Sequence, residues 1–206
     1  DFGFLMEESG HRPGRDPDER RWIVDPLDGT SNFLHGLPHF AISLALEARG
    51  ELVAGVIYDP VKDEMFFAEK GAGAYLNDRR IRVSARTRLE ESLIATGVPY
   101  KGHGDIPEFL AELERVATAT AGIRRWGAAA LDLAYVAAGR YEGFWERDLS
   151  SWDTAAGIVL VREAGGYVSN MDGRPPRLDD PGIVAANDSL HAELIDLLRQ
   201  TRSVAS

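Results

Sequence analysis

The stretch Trp22-Ile23-Val24-Asp25-Pro26-Leu27-Asp28-Gly29-Thr30-Ser31-Asn32-Phe33 decides the reading of this chain. Trp22 to Val24 is a short apolar run of buried-strand type, and Pro26 is expected to stop the strand because it has no N–H for the ladder. Asp25 stands at the strand's end, and Asp28 follows around a turn that Gly29 allows to be tight. Two carboxylates on a turn held by a strand can bridge divalent ions, because hard cations take oxygen ligands at fixed separations. The backbone carbonyl of Leu27 can add a further oxygen. Gly29 and Thr30 offer N–H groups at the start of a short helix, where a phosphate oxygen could bind. Asp25 and Asp28 are equally compatible with ordinary turn and cap roles.

Working outward, Phe2 to Leu5 is an apolar, strand-like run, followed by Glu7-Glu8-Ser9. One of these acids could reach a site shared with Asp25. Gly10 to Arg21 is rich in Pro, Gly and charge and reads as a loop. Phe40 to Glu47 alternates, with Phe40, Ile42, Leu44 and Leu46 on one face. Arg49-Gly50 turns it into a returning strand over Leu52 to Tyr58. Met65 to Ala68 and Ile81 to Val83 read as further strands. Residues 1–90 are thus expected to form a mainly antiparallel sheet.

Residues 91–206 change character. Asp105 can cap a helix bearing Phe109, Leu110, Leu113 and Val116 on one face. Short strands are expected around Ile94, Ile123, Phe144, Val168 and Val184, with helices over Ala128–Ala138, Thr154–Ala164 and Ser189–Leu198. Strands alternating with helices predict a layered α/β half. No linker separates the halves, so 1–206 is expected to be a single domain. Asp153, in Ser150-Ser151-Trp152-Asp153, opens a helix that ends at Gly165-Gly166 and holds a carboxylate rigidly there. The histidines, His103 among them, show no triad-like arrangement. His35 and His39 flank the Asp25–Asp28 turn. Arg124-Arg125 reads as solvated charge on an exposed strand edge.

Composition narrows the function classes. Lys and Arg number 23 and Asp and Glu 33, giving a formal net charge of −10. Such a chain does not attract nucleic acid or anionic membranes over its whole surface. It would repel a phosphorylated metabolite unless metal ions or helix N-termini supplied local positive charge. There are no cysteines, which excludes disulfides, thiolate catalysis and cysteine-ligated zinc and suggests a cytoplasmic address. The chain has no apolar run of membrane-spanning length.

In their order, these segments resemble the inositol monophosphatase family, and its bacterial branch most. The family pattern has an acidic pair and Ser, then W-[IV]-[IV]-D-P-[IL]-D-G-T-x-N-F, then W-D-x-A-A-G ahead of E-A-G-G. Here these stand as Glu7-Glu8-Ser9, Trp22 to Phe33, Trp152 to Gly157, and Glu163 to Gly166. The resemblance implies an αβαβα sandwich of the inositol monophosphatase and fructose bisphosphatase type, with the family's N-terminal helical segment absent from this chain. It implies a homodimeric, lithium-sensitive, magnesium-dependent phosphatase. Glu7, Asp25 and the Leu27 carbonyl would hold a first magnesium ion, and Asp25, Asp28 and Asp153 a second, with a third near Glu7. Glu7 and Thr30 would orient and deprotonate the attacking water. Gly29 and Thr30 would hold phosphate oxygens, Gly127, Ala128, Ala129, Glu146 and Asp153 would line the polyol pocket, and Asp28 would also contact the substrate. Ala128 departs from the Thr common at its position, which removes a hydroxyl contact. Ser31-Asn32-Phe33 resembles the inositol monophosphatase branch rather than the nucleotide 3′-phosphatase branch, where Lys-Glu-Phe is usual. Fructose-1,6-bisphosphatase activity, nucleotide 3′-phosphatase activity and a non-catalytic protein-binding role of the same fold are the alternatives.

Overall fold

A computed structural model describes residues 1–16, 18–99 and 104–200. His103 lies outside the described residues. In chain order the elements are β1 (Gly3–Met6), β2 (Gly10–Arg12), β3 (Arg21–Asp28), α1 (Thr30–Leu34), β4 (Ala41–Ala48), β5 (Glu51–Asp59), β6 (Glu64–Glu69), β7 (Gly73–Leu76) and β8 (Arg79–Ile81). There follow β9 (Leu93–Thr96), α2 (Ile106–Ala119), β10 (Gly122–Arg124), α3 (Ala129–Ala137), β11 (Gly143–Arg147), α4 (Ser151–Glu163), β12 (Tyr167–Asn170), β13 (Gly182–Ala186) and α5 (Asp188–Arg199).

The strands form two sheets. The first has eight strands in the order β2-β1-β3-β4-β5-β6-β7-β8, and the second has five, β10-β9-β11-β13-β12. Helices α3 and α4 pack between the sheets, and α2 and α5 cover the outer face of the second. The described layers therefore run β, α, β, α. Every residue of α3 is buried, as befits a helix enclosed on all sides, where an amphipathic stripe has no meaning. Small residues let the layers approach. A Cβ built on Gly55 of β5 would lie 2.6 Å from the carbonyl oxygen of Ala156 on α4.

The antiparallel meander holds across β3 to β8, but β1 and β3 are parallel, with Met6 opposite Val24. This pairing places the ends of β1 and β3 side by side, so that Glu7 and Asp25 emerge together. Within the expected loop, residues 10–12 form β2, an exposed edge strand antiparallel to β1. Its polar composition masked it, because an edge strand solvated on both faces needs no apolar alternation. Pro26 does not stop β3. The strand continues to Asp28 through a register break between Asp25 and Asp28, where a missing N–H costs no ladder bond. On β4 the buried face is Ala41, Ser43, Ala45 and Glu47, not the Phe40, Ile42, Leu44 and Leu46 face. Helix α4 lies against β4, and only small side chains permit that approach. Of the helices, α2 begins as read, with the Asp105 carboxylate accepting from Glu108 N at 3.0 Å. No helix among the described residues is long and apolar enough to cross a membrane.

Gly55→Ala should overpack the β5–α4 contact and cost about 1–3 kcal/mol. Differential scanning calorimetry should then show a thermal midpoint lower by several degrees. An unchanged midpoint would mean that α4 can draw away from the sheet freely.

Candidate metal centre

Two elements, β3 and α4, deliver three acids to one point, and each of these carboxylates is fixed by a backbone N–H. At the register break of β3, Asp25 Oδ1 accepts from Leu27 N at 2.8 Å. Asp28 is buried, and its Oδ2 accepts from Ala130 N on α3 at 2.8 Å. Asp153, in the first turn of α4, accepts through Oδ2 from Ser150 N at 2.7 Å. Asp153 is thus not the cap of this helix. Ser150 holds that position, and Asp153 sits one turn inside. Asp25, Asp28 and Asp153 each offer a ligand oxygen, and these oxygens lie within 4.8 Å of one another. Glu7, itself largely exposed, adjoins the group through a hydrogen bond to Asp25, whereas Glu8 contributes only its charge. The Leu27 carbonyl accepts from Thr30 Oγ1 at 2.9 Å. Gly29 takes φ of 86°, a conformation that favours glycine, and it leads into the uncapped first turn of α1.

None of Asp25, Asp28 and Asp153 enters an ion pair among the described residues, and their proton affinities record that. Burial pushes Asp28 well above the ordinary carboxylate range, with the charges of Asp153 and Asp25 adding to it. Burial also raises Asp25, against the Leu27 N–H bond. Asp153 is raised to about 6 by burial, and Glu7 to about 7 by burial and the charge of Asp25. Such a cluster of oxygen donors, rigid and without counter-charge, fits hard divalent cations.

Beside the acids lie Gly127 and the buried Ala128 and Ala129 at the start of α3. A Cβ on Gly29 would lie 3.3 Å from both the Ala128 Cβ and the Gly127 carbonyl oxygen, so the acidic turn and the start of α3 touch. Glu146 extends from β11 into the same region. Burial raises its carboxyl to about 8, with the charge of Asp153 adding to it and that of Arg125 opposing. A Cβ on Gly97 would overlap the Glu146 carboxylate, so only glycine leaves that side chain its place.

Four contributors were not assigned from sequence. Asn32 Nδ2 donates to the carbonyls of His39 at 2.7 Å and Trp126 at 2.8 Å, tying α1 to the loop before α3. Its position within the quoted string was the available signal. Gly97 carried no signal, since its neighbour comes from a distant strand. Asp132 is buried on α3, neither of its oxygens has a hydrogen-bond partner, and burial and the charges of Glu146 and Asp28 push its carboxyl well up. A lone acid in an Ala- and Leu-rich helix was legible as unusual. Arg125 is the fourth. Of the histidines near the turn, His35 is exposed, whereas His39 is buried against Trp126 and Tyr135, its ring lowered to about 4 by burial.

The model of the inositol monophosphatase family matches residues 1–203. An inositol-1-monophosphatase of Mesorhizobium japonicum is 54% identical over 202 residues, covering 98% of this chain and 76% of that protein. The Nus factor SuhB of Pseudomonas aeruginosa is 49% identical over 180 residues, 86% of this chain and 66% of that protein. The crystal structure of the extragenic suppressor protein SuhB from Bartonella henselae superposes with a TM-score of 0.93 at 55% identity, covering 97% of this chain and 77% of that one. The chain belongs to the inositol monophosphatase family of phosphoric monoester hydrolases.

Proposed function

We propose that the protein is a magnesium-dependent phosphatase acting on the phosphate monoester of a small polyol or sugar, with myo-inositol 1-phosphate the first candidate. The observation that carries this reading is the cluster of Asp25, Asp28 and Asp153, the first two buried, each fixed by a backbone N–H and none ion-paired among the described residues. Glu7, Asp25 and the Leu27 carbonyl would hold one magnesium ion and Asp25, Asp28 and Asp153 another, with a third near Glu7. When bound, the ions supply a nucleophilic water at neutral pH and neutralise charge on the phosphate. The residues of the chain do the rest. The Thr30 hydroxyl, whose hydrogen is given to Leu27 O, presents its lone pairs to the attacking water, and Glu7 takes up the proton. The N–H groups of Gly29 and Thr30 hold phosphate oxygens. Glu146 and the backbone of Gly127, Ala128 and Ala129 position the polyol. Asn32 supports the inositol monophosphatase branch, because its amide bridges two carbonyls that a Glu at this position, lacking a donor, could not satisfy.

A cytoplasmic address and inhibition by lithium belong to the same reading. So does a homodimer. Phe33, Leu34, Leu37 and Trp126 are exposed large apolar residues, Leu34 at 75%, around a cavity of about 380 Å³ lined in part by Leu37, His39 and Trp126. Such a patch suits association. A second reading, a protein-binding role of the same fold, is favoured by the relative named as a Nus factor.

Asp25→Asn should abolish magnesium-dependent phosphate release from myo-inositol 1-phosphate while the protein stays folded. Release that persists in Asp25→Asn, or none from the unaltered protein with magnesium bound, would move the weight to the binding role.

Stability should depend on pH with a definite sign. A carboxyl with raised pKa keeps its proton in the folded chain after the unfolded chain has released it, so stability falls as pH rises toward the folded pKa. Buried His39 acts oppositely, but only between about 4 and its ordinary value of 6.5. Above that value Glu7, at about 7, and Glu146, at about 8, are left to act. With chelator present, the thermal midpoint should therefore fall between about pH 6.5 and 8.5. Magnesium should raise it more at the upper end, where the ligands are deprotonated. A midpoint that rises through this range without metal would contradict the assignment.

Leu34→Glu should convert the dimer to monomer in sedimentation velocity. A monomeric unaltered protein at micromolar concentration would refute the dimer.

A further inference from the structure

Between the first sheet and α4 lies a cavity of about 600 Å³. The sheet contributes Leu5 of β1, Arg21 of β3, Glu47 of β4 and Leu52 of β5 to its lining. One stripe of α4 and the segment 176–179 complete it. At about 3.6 residues per turn, Ser151, Ile158 and Arg162 share that stripe, whereas Asp153 lies on the opposite side of the helix. The cavity is therefore distinct from the metal centre, and none of Asp25, Asp28 and Asp153 lines it. Its charges can be followed pair by pair. The buried Glu47 accepts from Arg21 Nε. Asp179 accepts from Arg177 Nε at 3.1 Å, and Glu51 pairs with Lys70. Each carboxylate of the lining is thus taken, and Arg162 is left over. Its side chain makes no hydrogen bond or ion pair with any described residue. Burial lowers the proton affinity of its guanidinium, opposed only by the charge of Glu51. Arg21 gives Glu47 its Nε alone, which leaves its terminal nitrogens without a described acceptor.

We infer that this cavity binds an amphipathic organic anion, a phosphate or carboxylate head on a compact apolar body, with Arg162 as the anchor of the head. A partly desolvated guanidinium without a counter-charge is costly in the free protein and gains when an anion arrives. Its planar fork matches the paired oxygens of a phosphate or carboxylate. The terminal nitrogens of Arg21 line the same space. Leu5, Leu52, Ile158 and Leu178 supply apolar surface for the body, and the volume is that of a metabolite-sized site. The Arg177–Asp179 pair is exposed, and such pairs are weak enough for Arg177 to turn toward a bound anion. On a chain of net charge −10, an uncommitted cation inside a cavity attracts an anion locally where the overall field repels it. The competing explanation is that water alone fills the cavity and solvates Arg162.

This binding is independent of the phosphatase reading, and no turnover is needed to measure it. Isothermal titration calorimetry should be run on the full chain in magnesium-free buffer, where the metal cluster, acidic without its ions, repels anions. The probes are phenylphosphonate, which carries head and body, and inorganic phosphate, the head alone. Phenylphosphonate should bind one-to-one with a Kd below about 1 mM, and phosphate several-fold more weakly because it buries no apolar surface. Arg162→Gln should weaken phenylphosphonate binding roughly ten- to hundredfold, the range for hydrogen bonds to a charged group. Arg162→Lys should retain part of the affinity, since it keeps the charge and loses the fork. Without probe, Arg162→Gln should melt no lower than the unaltered protein in scanning calorimetry, because it removes a cation that the fold does not pair. No saturable binding, equal affinity for the two probes, or phenylphosphonate binding that Arg162→Gln leaves within about twofold overturns the inference. So does a clear fall in the probe-free midpoint of Arg162→Gln, which would make the guanidinium a structural contact.

Discussion

The hydrogen bond from Ala130 N to the Asp28 carboxylate joins residues far apart in the chain and ties the end of β3 to the first turn of α3. Much of the site depends on it. It fixes one carboxylate of the cluster, and it sets the segment Gly127 to Ala129 against the turn at Gly29. A buried carboxylate accepting from a helix N-terminal N–H is stabilised by both the bond and the helix dipole. Asn32 reinforces the junction by bonding the carbonyls of His39 and Trp126.

Close approach of the layers makes that junction possible. Ala41 and Ala45 of β4, Gly55 of β5 and Ala156 of α4 keep side chains small where these elements meet, and Gly157 of α4 packs directly on Leu133 of α3. Larger side chains would push α3 and α4 away from the first sheet and separate Asp153 from Asp25 and Asp28. The parallel pairing of β1 with β3 brings Glu7 to the same place from the other side. Packing of small residues therefore acts on chemistry through distance, because divalent cations tolerate little variation in ligand spacing.

The electrostatic cost of the arrangement is borne by the same residues. Five carboxyls near the site, Glu7, Asp25, Asp28, Glu146 and Asp153, are raised in pKa, with burial first among the causes. Such a site is held together by the scaffold rather than by its own interactions, and it gains when cations enter. Strain of this kind at a functional centre is offset by well-packed structure elsewhere, here the cores on either side of the second sheet.

The sequence by itself determined the chemistry-bearing turn, Asp25 to Thr30, the helix-borne Asp153, and the alternation of strands and helices in the second half. These are local matters: turn residues, caps and apolar periodicity act over a few neighbours. Only the tertiary structure decided that β1 pairs parallel to β3, that the small-residue face of β4 is the buried one, that Gly97 must yield its place to Glu146, and that Arg125 lies over Gly127. Each of these depends on which distant segment arrives next to which, and that is settled by how the layers pack, a property of the whole chain that no local pattern carries.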